Sequence, residues 1–185
     1  METQPFIIVT KLDAVRRQLG TAIALWANDG DPISIHTLAF AAHQIVHDLN
    51  RQQGGPPLLL DEPSIRPEKK HDYANIVKRD ANFFKHADNR GKGKQKPEME
   101  IEFDPNSNEF FIALTILALQ FIKQDLTELE IAFYTWYRIN RPEMLTDTGR
   151  ELFERSVPAQ VASVLRAMKK KEFLDHFIKI YFRAT

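Results

Sequence analysis

From Phe110 to Ile122 the chain would be apolar on nearly every side of a helix. Phe110, Phe111, Ile112, Leu114, Ile116, Leu117, Leu119, Phe121 and Ile122 are interrupted only by Thr115 and Gln120. Water tolerates such a helix only when other elements surround it. The run is too short to span a bilayer, which takes about 20 apolar residues. The stretch from Phe110 to about Lys123, capped by Asn106, Ser107 or Asn108, is therefore expected to be the central helix of a bundle.

The flanking sequence supplies the helices that would surround it. Apolar residues recur every three or four positions through Ala14, Val15, Leu19, Ala22, Ile23, Leu25 and Trp26, with Thr10 or Asp13 as a cap. Asn28-Asp29-Gly30-Asp31-Pro32 stops that helix, Gly30 supplying positive φ. A second helix, capped by Ser34, runs to about Asn50 and packs antiparallel on the first as an αα-hairpin. Residues 51–67 form a proline- and glycine-rich connector, with Leu58-Leu59-Leu60 as an anchor. Beyond the central helix come Leu126 to Asn140, rich in aromatics, a short piece from Arg150 to Arg155, then Ala159 to Met168 and Glu172 to Phe182. The last is a basic amphipathic helix, expected to pack on its own domain. Met99, Ile101 and Phe103 alternate with four acids between 98 and 104, the one strand-like spacing in the chain. The expected fold is all-α: a single domain over 1–185, about six to seven helices on antiparallel hairpins, plus one short extended segment near 98–104.

Composition narrows the function classes. Lys plus Arg and Asp plus Glu are 25 each, so no global charge draws the chain to nucleic acid; any such binding rests on local patches. There is no cysteine, which removes disulfides, thiolate metal sites and a cysteine nucleophile. The first residues lack the build of a signal peptide, and a cytoplasmic location without membrane contact is expected.

Chemistry concentrates in Lys78-Arg79-Asp80-Ala81-Asn82-Phe83-Phe84-Lys85-His86-Ala87-Asp88. In a helix, Arg79 and His86 are seven residues apart and share a bearing, with Asn75 and Asn82 beside them. Tyr73, Ile76, Val77, Phe83, Phe84 and Ala87 form the expected apolar face, and Asp80 falls in its middle. A carboxylate there needs a donor, which makes Asp80 a structural polar group. Asn89 to Pro97 follows as a basic loop spaced by glycine, either a mobile solvated connection or a phosphate-binding arm formed by Arg90, Lys92 and Lys94 with Lys85.

An Arg followed by a polar residue, with a His further along the same helix, resembles the signature of the HEPN superfamily, carried here by Arg79, Asp80 and His86. The resemblance implies a small all-helical domain of a superfamily with many metal-independent ribonucleases that act as dimers. It implies RNA as substrate, the substrate's 2′-hydroxyl as nucleophile, and no cofactor. His86 would be the general acid or base, Arg79 would hold the scissile phosphate, and Asn82 would orient the phosphate or His86. One helix supplies one Arg and one His, so a homodimer would complete the site.

Two other readings stand beside it. In the first, the same residues form a polar network inside a non-enzymatic helical dimer or interaction module. In the second, His36, His43 and His47 of the second helix, at spacings of seven and four, bind a metal with help from facing helices. Their alternative is a half-buried stripe, with Phe40, that packs on a helix or a second subunit.

Overall fold

A computed structural model describes residues 6–59, 66–87 and 99–183. Within them lie eight α-helices and no strand: α1 Lys11–Ala27, α2 Pro32–Gln52, α3 Lys70–Lys85, α4 Ser107–Phe121, α5 Glu128–Asn140, α6 Asp147–Ser156, α7 Ala159–Arg166 and α8 Lys170–Phe182. The all-α class is as expected, with eight helices among the described residues where about six to seven were expected. Residues 99–104 alternate half-buried Ile101 and Phe103 with exposed Glu100, Glu102 and Asp104, yet no ladder forms. The alternation serves to press Phe103 against Phe84, ring centroids 5.1 Å apart.

Local chemistry explains the boundaries. Thr10 and Asp13 form a capping box, the Asp13 amide donating to Thr10 Oγ1 at 3.1 Å and the Thr10 amide to Asp13 Oδ2 at 2.9 Å. Thr127 and Glu130 repeat the arrangement at the start of α5. The cap of α2 is Asp31 rather than Ser34: Asp31 Oδ2 accepts from the Ser34 amide at 2.8 Å, and Pro32 fills the first helical position. The turn before it places positive φ on Asp29, not on Gly30. Aspartate tolerates that region because its short side chain bonds locally.

The hairpin α1–α2 supports α4, and α5 lies against α1, α4 and α8. Ile112, Thr115, Ile116, Ala118 and Leu119 of α4 are inaccessible to solvent, as expected for a central helix. Its first turn is polar and also buried. Glu109 accepts from Trp26 Nε1 of α1 at 3.0 Å and pairs with Arg141, at the end of α5, at 2.7 Å. Asn108 donates to the Pro32 carbonyl at 2.9 Å. At the other end of the bundle, the Arg16 guanidinium bonds Glu130 and the Asp125 carbonyl. Two buried carboxylates thus each have a guanidinium, the condition under which buried charge is tolerated.

The second helix buries Ile35, Ala42 and Val46, and more of its circumference besides. His36, Phe40, His43 and His47 lie in the core with Ile35, Ala39, Ala42 and Val46, whereas Leu38, Ile45 and Leu49 are only half-buried. The His and Phe stripe faces α4 and is buried, not half-buried. Leu58 and Leu59 do pack against the core.

Candidate functional site

Helix α3 carries the motif, and its contacts are chiefly to α2 and to the 3₁₀ turn Pro67–Lys69 that leads into it. The inward face is Tyr73, Val77, Asp80, Ala81 and Phe84. Ala81 is fully buried, while Ile76, expected inside, is 73% exposed, and Ala87 is exposed as well. The helix is turned so that α2 meets one narrow stripe. Small Ala81 allows close approach there, and Phe84 reaches the His36 ring at 5.7 Å between centroids. Asp80 is half-buried on that stripe, and its charge acts on His36.

The opposite side of α3 holds Arg79, Asn82 and Asn75, all exposed. His86 is exposed too, but it is not the next residue on that stripe. The helix ends at Lys85, and His86 is extended, at φ −131° and ψ 126°, with its amide donating to the Asn82 carbonyl at 3.0 Å. The shared bearing expected of Arg79 and His86 is therefore lost at the last residue, although both stay at the same end of the helix. Lys85 turns back toward α2. Its Nζ lies 5.5 Å from the Phe40 ring centre and 3.5 Å from Gln44 Oε1. That partial desolvation lowers its pKa. Arg90, Lys92 and Lys94 lie outside the described residues, as does the mobility expected of their loop.

The histidines of α2 have a different setting. His36 is ringed by Phe40, Phe84, Phe103 and Phe111, with centroids 5.2 to 5.9 Å away. Its Nδ1 lies 3.0 Å from Asn108 Oδ1. Because Asn108 Nδ2 is committed to the Pro32 carbonyl, Oδ1 is the acceptor and Nδ1 carries the proton. Burial lowers the His36 pKa, opposed by the Asn108 bond and the Asp80 charge and aided by Lys85. His43 is 1% exposed, and neither ring nitrogen has a hydrogen-bond partner among the described residues. Burial, with a contribution from His47, pushes its pKa down to about 4. His47 is also buried, with Nδ1 3.5 Å from Asp48 Oδ1. The His43 and His47 rings are 6.4 Å apart at 49°. No three His, Asp or Glu side chains among the described residues converge as a metal site.

A groove that the sequence reading missed opens at the start of α4. About 390 Å³ in volume, it is lined by Asp104, Asn106, Ser107, Phe110, Tyr137, Arg141, Glu143 and Met144. Arg141 is already engaged by Glu109 and by Asn106 Oδ1 at 3.1 Å. Burial, with Glu109 and Glu143 nearby, pushes the Tyr137 phenol up to about 12. The only sequence signal was a polar Asn106-Ser107-Asn108-Glu109 run entering an apolar helix, which also reads as a simple cap.

No protein-family model matches this chain, and no match was found among curated proteins or solved structures. No helix among the described residues is long and apolar enough to cross a membrane.

Proposed function

We propose that this protein is a HEPN-like, metal-independent endoribonuclease whose working unit is a homodimer, with Arg79, Asn82 and His86 as its catalytic residues. The observation that carries this reading is the division of α3 into two faces. Tyr73, Val77, Asp80, Ala81 and Phe84 meet α2, leaving Arg79, Asn82 and His86 exposed at one end of the helix. A substrate as large as RNA needs this accessibility, and the buried histidines of α2 lack it.

The chemistry follows from the side chains. One imidazole takes the proton from the substrate's 2′-hydroxyl as its oxygen attacks the adjacent phosphorus. The bond to the 5′-oxygen breaks, and a protonated imidazole returns a proton to that leaving oxygen. The products are a 2′,3′-cyclic phosphate and a free 5′-hydroxyl. Imidazoles suit both steps because they titrate near neutrality. The Arg79 guanidinium presents a planar fork to the phosphate oxygens as charge gathers on them. Asn82, four residues before His86, would orient the phosphate or the ring. Two copies of α3 across a two-fold axis supply the base and the acid that a single His86 cannot supply together.

The test is cleavage of single-stranded RNA in excess chelator by the wild type, Arg79→Ala and His86→Ala. Wild-type cleavage yielding cyclic phosphate ends, lost in both variants, is expected. No cleavage by the wild type, or undiminished cleavage by both variants, removes the reading. The non-enzymatic dimer then takes its place, favoured by the apolar segment before α1, where Phe6, Ile7 and Ile8 are 103%, 70% and 95% exposed.

A further inference from the structure

The groove at the start of α4 holds polar groups that the fold leaves without partners. Tyr137 is only 6% exposed, and its ring stacks on Phe133 of the core, centroids 6.4 Å apart. Its hydroxyl opens on the groove and has no hydrogen-bond partner among the described residues. A buried phenol ordinarily finds one. Burial and the charges of Glu109 and Glu143 hold this phenol protonated, so it is a donor in need of an acceptor. Arg141 supplies a second donor. Its Nε and Nη2 serve Glu109 and Asn106, while Nη1 has no partner among the described residues.

Acceptors stand on the same rim. Glu143 is exposed on the turn Pro142–Met144, with no ion pair among the described residues. Asp104 commits Oδ1 to the amide and the side chain of Asn106 and leaves Oδ2 open. Phe110 and Met144 give the groove apolar walls that suit the face of a ring.

Charge decides the kind of ligand first. Glu109 neutralises Arg141, so Asp104 and Glu143 remain as two uncompensated carboxylates. They repel a phosphate or a second carboxylate. A guanidinium or ammonium group would pair with them, but it carries no acceptor for the Tyr137 hydroxyl or for Nη1. The occupant needs donors and acceptors side by side on a flat, neutral body.

We infer that the groove binds a guanine base, held by Glu143, Arg141 and Tyr137 against Phe110. Guanine presents its N1 hydrogen and its N2 amine together, a pair that one carboxylate accepts in parallel. Its O6 and N7 accept from the guanidinium and the phenol. Adenine and cytosine set a ring lone pair beside their amine, and that lone pair would face the carboxylate. Stacking on Phe110 serves the ring itself. The groove volume of about 390 Å³ lies within the range of small-molecule sites, about 300–1,000 Å³. Arg79, Asn82 and His86 do not line it, and the inference does not rest on the cleavage proposed for them.

Calorimetric titration of the full-length protein with guanosine, inosine and adenosine tests it. Guanosine should bind about tenfold more tightly than adenosine, with inosine, which lacks the N2 amine, weaker than guanosine. Glu143→Gln and Tyr137→Phe should each weaken guanosine binding about tenfold. Both should keep the wild-type thermal midpoint, since neither group has an internal partner to lose. The 2′-O-methyl trinucleotides UpGpU and UpUpU separate the two sources of the base, and neither can be cleaved through a 2′-hydroxyl. Tighter binding of UpGpU than of guanosine assigns the site to guanine within RNA, and binding no tighter assigns it to the free nucleoside. Absence of saturable binding by guanosine and UpGpU overturns the inference. Equal affinity for guanosine and adenosine, or undiminished guanosine binding in either variant, overturns it as well.

Discussion

Helices α2 and α3 lie side by side, and both present histidine near a run of phenylalanines, yet the structure uses them in opposite ways. On α2 the imidazoles face α4 and are buried with Phe40 and Phe111. On α3 the arginine, the asparagine and the terminal histidine are exposed. The difference comes from the neighbours. Helix α2 lies between α1 and α4 and has little surface to spare, so even its polar positions are drawn inside. Helix α3 touches its support along one stripe and keeps the rest. A cluster of titratable residues in sequence therefore says little about accessibility until the number of packed faces is known.

The comparison can be broken first at Phe111, which touches His36, Phe40 and His43. Phe111→Ala removes the surface against which the α2 stripe packs and should cost about 4 kcal/mol, as large-to-small changes in aromatic cores do. Denaturant unfolding measures it, and a loss below about 1 kcal/mol would mean that α2 and α4 are not tightly packed there.

Acid is the next largest perturbation. The His43 pKa falls from 6.5 in a model peptide to about 4 in the folded chain, so between those values the unfolded chain binds the extra proton. The His43 contribution to stability should be fully present above pH 6.5 and be lost as the pH drops toward 4, by about 3 kcal/mol in all. The lowered pKa of His36 adds in the same direction. His43→Leu should flatten this slope and, by removing two unpartnered nitrogens, should not destabilise the protein at neutral pH. A slope unchanged in His43→Leu would place the acid sensitivity elsewhere.

On the inward stripe of α3, Asp80→Ala should cost about 1 kcal/mol, because the carboxylate is only half-buried. It should also lower the His36 pKa further, since Asp80 opposes the effect of burial there. NMR titration of the His36 ring reads that second effect, and an upward shift would reverse the assigned interaction. The smallest expected changes are on the outward face: Arg79→Ala and His86→Ala should each stay within about 0.5 kcal/mol of wild type. A larger loss in either would put that side chain to structural use and weaken its claim to chemistry.

Fold class was legible because the sequence supplies strong periodicity together with unambiguous stops. Thr10 with Asp13, Asn140 with Pro142, and the nearly all-apolar α4 each fix an element from a few residues. Rotation about the helix axes was less legible. On α2 the row Leu38, Ile45, Leu49 and the row His36, Phe40, His43, His47 are both plausible inner faces. Tertiary packing chose the one with three polar rings because Asn108 offers His36 a partner and four phenyl rings surround it. On α3 the phase error was confined to Ile76 and Ala87, whereas the inward placement of Asp80 was readable as a break in an apolar pattern. The end of α3 before His86 has no stop signal beyond the polar Asp88-Asn89-Arg90-Gly91 that follows. Glu109 was hidden because a first-turn glutamate is ordinary on any helix. Its burial depends on Trp26 and Arg141, 83 and 32 residues away.

Those separations have a consequence for the order in which the chain can acquire its structure during synthesis. The first two helices meet locally, but one donor at the end of α1 and one backbone acceptor at the start of α2 wait for Glu109 and Asn108. Glu109 in turn keeps an unneutralised carboxylate until Arg141 arrives. A nascent chain that has emerged only as far as α3 therefore carries an apolar hairpin with its main covering helix still inside the ribosome. Such a stretch, long and greasy on one side, is the kind that chaperones hold. Cooperative collapse becomes possible only once α5 has cleared the exit tunnel, and contacts of such long sequence separation slow that step.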